Sequence, residues 1–346
     1  MQARGDAIAG RAPARLVGPP RTPASVGRAE HEAGLPLAVD LDGTLVAGDL
    51  LRESALGLIS RALPRAPAAL PELLSALRRR GKAGFKARLA EIIRPEPELL
   101  PYRPEVLDLI RDARAAGRTV VLITAADQSL ADAVAAHLGL FDAVHGSDGR
   151  RNLSGETKAA FLIERYGDGG FDYVGDAPRD LAVWAAARQA ITVAAPRPLA
   201  AAADRLAAER ADEGRPSAPP LHLAPPRRGP ARLRPWLRAL RPHQWTKNLL
   251  VLLPLLAEHR ADAAGWAAAL TAAAAFCLVA SSAYVVNDLF DLEADRAHPR
   301  KRFRPFASGD LSATAGAAAA PILLAAGLSL AAAVSPLLLG VTAFYY

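Results

Sequence analysis

Cysteine is nearly missing from this 346-residue chain, in which Cys277 stands alone. A single thiol excludes an intrachain disulfide and a cysteine-built zinc site, and its place inside an apolar run marks it as a small core residue. The first 35 residues are rich in Arg, Pro, Ala and Gly but lack the apolar core of a secretory signal peptide. Residues 1–34 are therefore expected to form a disordered tail, with the N-terminal domain left in the cytoplasm. Charge is missing elsewhere: nothing charged lies between Leu311 and Tyr346, and 21 uncharged residues run from Trp266 to Val286. That run is about the length that spans a bilayer core, so the C-terminal third is expected to sit in the cytoplasmic membrane as a multi-pass segment. The net charge of +7 lies largely beside these apolar runs rather than on one recognition helix. Nucleic acid is accordingly not an expected partner, whereas membrane lipid is.

From Leu35 to about Ala195, short apolar runs alternate with longer helical patterns. "LPLAVD", "RTVVLITAA", "FDYVGD" and "AITVAA" have the length and β-branched content of buried strands. This rhythm predicts a parallel sheet with helices on both faces. Between the first two strands, residues 45–102 are mostly helical in pattern, a small helical cap above the sheet edge. Residues 196–235, dense in Pro, Arg and Ala, are expected to be a linker with a short helix around 200–210. Beyond it come "NLLVLLPLLA", which must extend back through Trp245 to span or lie in the interface, the run around 266–286, a charged loop, a span over about 312–334, and a restart after Ser335-Pro336. Seven basic residues between Arg227 and Lys247 and five between Arg296 and Arg304, against Arg260 alone in the intervening turn, put the first two clusters on the cytoplasmic side.

Two acid clusters carry the chemistry. In "VDLDGTLV", Asp40 and Asp42 leave the end of a buried strand, where open α/β sheets place their ligands. One such carboxylate can attack an electrophile while the other manages a proton. Further along, Thr124 in "VLITAAD" offers a hydroxyl, Lys158 in "LSGETKAAF" a cation, and Asp176 and Asp180 in "YVGDAPRD" carboxylates for a divalent metal. In this order the set resembles the haloacid dehalogenase (HAD) superfamily of phosphohydrolases, over roughly residues 35–195. The resemblance implies a covalent mechanism: Asp40 as nucleophile, Asp42 as acid and then base, and Thr124 and Lys158 holding phosphoryl oxygens. It also implies Mg²⁺ on Asp40, the Asp42 carbonyl and Asp176, with Asp180 in support, and a cap that selects a phosphate monoester. His137 and His145 are expected to be ordinary helix and loop residues.

The second cluster, "NDLFDLEAD", ends an apolar run. At about 100° per residue, one continuous helix would place Asn287, Asp291, Asp295 and Asp288 within about 100° of arc. Acids at the end of a membrane helix need a partner or a water-filled cavity, and oxygen ligands without His or Cys suit Mg²⁺ bridging to phosphate. With the following "HPRKRFRPFASG", these residues resemble the first aspartate-rich motif of the UbiA-type intramembrane prenyltransferases. "RPHQWTKN" and "ADRAHPRKRFRP" look like the branch that moves 5-phosphoribose from phosphoribosyl diphosphate to a polyprenyl phosphate. The resemblance implies Mg²⁺ and diphosphate on the acids, with Lys247, Arg302 and Arg304 neutralising phosphate oxygens. His298 is expected in a loop.

The expected architecture is an α/β HAD-like (Rossmannoid) domain with a small helical cap at 35–195, followed from residue 236 by an all-α multi-span membrane segment. That segment resembles a bundle of about nine spans, so the chain is expected to be a fragment or truncated product. Three functions remain open: a phosphoribosyl transferase fused to a Mg²⁺-dependent phosphatase, a membrane-anchored phosphatase with an inactive transferase segment, and an aromatic prenyltransferase. In the first, the phosphatase is expected to remove the 5-phosphate that transfer leaves on the lipid.

Overall fold

The computed structural model describes residues 34–57, 71, 75, 78, 88, 96–148, 151–224, 229–257 and 262–346. Its N-terminal part is built on a six-stranded sheet: β1 (Leu37–Val39), β2 (Val120–Asp127), β3 (Ala143–Ser147), β4 (Asp172–Gly175), β5 (Gln189–Val193) and β6 (Leu221–Leu223). All neighbouring pairs are parallel, in the order β3-β2-β1-β4-β5-β6. Residues two apart on a strand face the same side, and the burial obeys this. Leu37 and Val39 join Val120, Leu122, Val174, Ile191 and Val193 in one core, beneath the helices Pro104–Ala115 and Gln128–Leu138. Ala38, Ile123, Tyr173 and Ala190 join the opposite core under the helices Glu156–Tyr166 and Arg197–Asp212. The chain leaves β1 toward β2 on one side and has β4 on the other, so the crevice at the carboxyl ends of β1 and β4 is the switch point where such sheets bind ligands.

The stretch expected to be a linker is largely part of this domain. Residues 197–212 form a 16-residue helix, and Leu221–Leu223 adds the edge strand. Arg210, which is 1% exposed, holds the helix down by donating to Asp168, the Ala185 carbonyl and the Pro216 carbonyl. A proline- and arginine-rich composition signals a linker only where no such buried partner exists, and Asp168 and Ala185 lie 42 and 25 residues away, too far off in sequence to be seen there. The N-terminal tail and most of the cap fall outside the described residues. The cap's described parts are the helix Leu50–Gly57, a turn at Pro97–Leu99 and a bridge between Val46 and Tyr102.

Among the described residues, two helices are long and apolar enough to cross a membrane: Ala263–Phe290, 28 residues, and Ala313–Val334, 22 residues. Each begins at a side-chain cap, Asp262 accepting from the Gly265 amide and Ser312 from the Ala315 amide, which satisfies donors that the first helical turn leaves free. Ser335 caps the next helix, Pro336–Tyr345, in the same way. The two long helices lie side by side, and Ser282 donates to the Ala320 carbonyl across them at 2.8 Å. The "NLLVLLPLLA" stretch is divided between a 3₁₀ segment, Pro242–Leu252, and a short helix, Leu253–Ala257.

Candidate functional site

The first acid set converges at the switch point. Asp40 follows the last residue of β1, and Asp176 follows the last residue of β4. Asp180 comes back to them through a 3₁₀ turn at Pro178–Asp180. One carboxylate oxygen from each of Asp40, Asp176 and Asp180 lies within 4.8 Å of the others. Lys158, buried in the first turns of the helix Glu156–Tyr166, donates to Asp40 Oδ1 at 2.8 Å. Thr124 is fully buried in β2, and its hydroxyl accepts from the Ala126 amide at 3.0 Å. Asp42 stands at the side of this group, its Oδ1 accepting from the Leu50 amide at 2.8 Å, which ties it to the cap helix.

Electrostatics follow from this crowding. Burial, reinforced by Asp40 and Asp180, pushes the Asp176 carboxyl up to about 7. Burial likewise takes Asp42 to about 7, against the Leu50 hydrogen bond and helped by Asp49 and Asp40. Asp180 is raised by burial and by Asp40, against Lys158. Ionised acids held this close repel, and a hard cation with oxygen ligands relieves the repulsion, so the donor set fits Mg²⁺. Gly43 makes room for the group. Its φ is +79°, and a Cβ there would sit 2.1 Å from Asp176 Oδ2.

Several residues of this site escape a sequence reading. Tyr173 accepts from Lys158 at 2.9 Å and donates to Asp180 at 2.8 Å, linking the ammonium to the carboxylate. Burial, with Asp180 and Asp40 nearby, raises its phenol well above the ordinary value, so it stays a donor. Thr44 donates to Asp176 at 3.2 Å, and Arg103 to the Gly43 carbonyl at 3.1 Å. The one available signal was alternation: a tyrosine on a buried strand two residues before Gly-Asp must find a partner for its hydroxyl. His137 ends a helix and stacks on Tyr102, but His145 lies on β3 rather than in a loop, edge-on to Phe161.

The second acid set does not form the single face expected of one continuous helix. The helix Ala263–Phe290 stops, Asp291 takes a non-helical φ of −90° and ψ of 10°, and a short helix, Leu292–Ala297, begins. Asp288 and Asp295 are buried, whereas Asn287 and Asp291 are exposed. Arg304 donates to Asp295 at 2.8 Å and to Asp288 at 3.2 Å, and Arg241 also donates to Asp288. No three carboxylates of this segment converge among the described residues. As arranged, a guanidinium lies where a divalent ion would bridge the two buried acids, so these residues do not fit Mg²⁺ in this state. Of the three expected phosphate-neutralising cations, Arg304 alone is among the acids: Lys247 is exposed in the 3₁₀ segment, and Arg302 is exposed with its guanidinium over the Phe303 ring. His298 lies in the loop after the short helix, its Nδ1 accepting from the Arg300 and Lys301 amides.

Residues 37–184 match the haloacid dehalogenase-like hydrolase family, and residues 249–346 match the UbiA prenyltransferase family. The chain is similar to protein y4nM of Sinorhizobium fredii, at 39% identity over 300 residues, 86% of this chain and 54% of that protein. It is similar to a decaprenyl-phosphate phosphoribosyltransferase of Mycolicibacterium smegmatis, at 54% identity over 78 residues, 21% of this chain and 24% of that protein. Nodulation protein NoeC of Azorhizobium caulinodans is 43% identical over 114 residues, 32% of this chain and 36% of that protein. The chain thus spans about half, or less, of the length of these relatives.

Proposed function

From a chain that joins a haloacid dehalogenase-like hydrolase domain to a domain of the UbiA prenyltransferase family, an enzyme on both counts, we propose two activities. The N-terminal domain hydrolyses a phosphate monoester, and the C-terminal domain belongs to a transferase that moves 5-phosphoribose from phosphoribosyl diphosphate to a polyprenyl phosphate. The observation that carries the first is the convergence of Asp40, Asp176 and Asp180 with Lys158 on Asp40. In the proposed reaction an Asp40 oxygen bonds to phosphorus as the ester P–O bond breaks, and the leaving alkoxide takes a proton from Asp42. Water then attacks the aspartyl-phosphate, gives its proton to Asp42 and releases inorganic phosphate, which restores Asp40. Lys158, held by Tyr173, and Thr124 stabilise the phosphoryl oxygens, and Asp40, the Asp42 carbonyl, Asp176 and Asp180 would hold Mg²⁺. That ion, when bound, supplies charge neutralisation at the phosphoryl group.

The second activity rests on the likeness to decaprenyl-phosphate phosphoribosyltransferase and on the match of residues 249–346 to the UbiA prenyltransferase family. Here Asn287, Asp288, Asp291 and Asp295, with Lys247, Arg302 and Arg304, are proposed to surround the diphosphate. The arginine pairs already on Asp288 and Asp295 favour a second reading, in which this segment anchors the phosphatase without transferring anything. We place both acid clusters on the cytoplasmic side of the membrane, where the basic flanks are densest.

Full-length protein in vesicles should release phosphate from ribose 5-phosphate only with Mg²⁺, and Asp40→Asn should lower turnover by about a thousandfold or more, since an amide is a poor nucleophile. Chelator-insensitive hydrolysis would overturn the metal assignment. Lipid products formed from phosphoribosyl diphosphate, against a prenyl diphosphate with an aromatic acceptor, decide the transferase reading. No lipid product from either donor leaves the anchor.

A further inference from the structure

The hydrolase pocket is not built by the α/β domain alone. A cavity of about 410 Å³ is lined on one side by Asp42, Gly43 and Asp176 and on the other by Ser312 and Thr314. Those last two residues cap and open the apolar helix Ala313–Val334. A substrate in this cavity therefore sits at the first turn of a helix whose remainder is uncharged to its end, which is the depth of a lipid headgroup.

The two domains are locked in this arrangement by contacts 243 residues apart in sequence. Glu53, on the cap helix, accepts from Arg296 through both oxygens, at 2.8 and 3.1 Å, and Arg296 also donates to the Ala307 carbonyl. The paired side chains are 8% and 5% exposed. Beside them Leu56 packs on the cluster of Ala239, Val285, Leu289, Leu292 and Phe306. Gly309, at φ +76°, lets the loop approach so near that a Cβ would lie 2.6 Å from Ala47 Cβ. A bidentate, buried pair is geometrically specific, and removing one partner strands a charge. The same cap helix donates its first amide, Leu50, to Asp42. The clamp thus sets where the membrane helix stands relative to the acid pair.

We propose that the hydrolase pocket is a compound site that takes the phosphate monoester end of a membrane-anchored molecule, with Glu53 and Arg296 as positioning residues. This rests on the hydrolase reading above and names its substrate class. The reaction that supplies such a substrate either transfers a phosphorylated group onto a membrane lipid without consuming the phosphate or phosphorylates a lipid-linked alcohol, and hydrolysis yields the lipid-linked alcohol and inorganic phosphate. Anchoring gives the gain: a headgroup confined to the surface that bears the pocket has a far higher effective concentration than the same group in solution.

The test compares one phosphate monoester in two settings, with the 346-residue chain in phospholipid vesicles and Mg²⁺ present. The probes are free ribose 5-phosphate and polyprenyl-phosphoryl-ribose 5-phosphate in the same vesicles. The lipid-linked probe should give a kcat/KM at least about tenfold higher. Arg296→Glu should remove most of that advantage while changing hydrolysis of the free probe less than about twofold, and adding Glu53→Arg should restore it. Equal kcat/KM for the two probes in the wild type, or an equal loss on both in Arg296→Glu that the swapped pair does not recover, overturns the compound site. A wild type that hydrolyses neither probe instead overturns the hydrolase reading itself.

Discussion

The two acid clusters of this chain meet opposite surroundings. In the α/β domain, Asp40, Asp176 and Asp180 crowd together with one ammonium, Lys158, on Asp40, and burial pushes Asp176 up to about 7. In the membrane domain, Asp288 and Asp295 are also buried, but each meets a guanidinium, and Arg304 touches both. Under-neutralised acids on rigid strand ends store repulsion that an added cation relieves. Acids already paired form a scaffold whose cation belongs to the chain, and binding a metal there requires Arg304 to move first.

The sharpest way to break this contrast is to remove that arginine. Arg304→Ala leaves Asp295 with Lys301 Nζ at 4.0 Å and Asp288 with Arg241 in place of two close guanidinium contacts, and should cost about 3 kcal/mol of stability. Adding Asp295→Asn should return part of the loss, because the stranded charge is then gone. Thermal unfolding in detergent reads both, and a variant that melts like the wild type would show the pair to be incidental.

A smaller effect in energy tests the other cluster. Gly43→Ala forces a Cβ into Asp176 and strains a backbone held at φ +79°. The displaced carboxylate should lower hydrolysis of ribose 5-phosphate by about a hundredfold, since misplacing a group by about 1 Å can cost that much. Initial rates at saturating Mg²⁺ check it. Wild-type activity would mean that Asp176 does not need its present position.

The smallest effect is in pH. The Asp176 and Asp42 carboxyls rise from 3.8 to about 7 on folding, so the folded chain holds these protons more tightly than the unfolded one. Their stabilising contribution is full below about pH 4 and is lost as pH rises through about 7. Metal-free protein should therefore melt a few degrees higher at about pH 5.5 than at about pH 8, each kcal/mol moving the melting temperature by roughly 2–4 °C. Mg²⁺ binds the ionised acids and should shrink the difference, and Asp176→Asn should remove the Asp176 share of it while leaving that of Asp42. A melting temperature that rises between these pH values would contradict the crowding.

Much of this was legible from residue types alone. Apolar runs that carry Asp40, Thr124 and Asp176 at their ends announced strands whose carboxyl ends face one crevice, since strand length and β-branched content are local properties. The long apolar helices were equally plain, because lack of charge over about 20 residues is a local property too. The acid segment at 287–295 was harder to read, because spacing shows neither the turn at Asp291 nor what packs on each side: Asn287, exposed, and Asp288, buried, already differ within one helix. Arg210 was invisible as an anchor for the same reason that Glu53 was invisible as a clamp. Their partners are set by how layers stack, not by spacing along the chain.

What the sequence by itself determined is the chemistry available: carboxylates at strand ends, an ordered hydroxyl and lysine, acids and bases at the mouth of apolar helices. These follow from local periodicity and composition, which fix secondary structure and the side chains it displays. Only the tertiary structure decided which charges neutralise each other. Lys158 reaches Asp40 across 118 residues and Arg296 reaches Glu53 across 243. An ion pair depends on a few ångströms of through-space distance in a medium of low dielectric, and that distance exists only once the layers have packed.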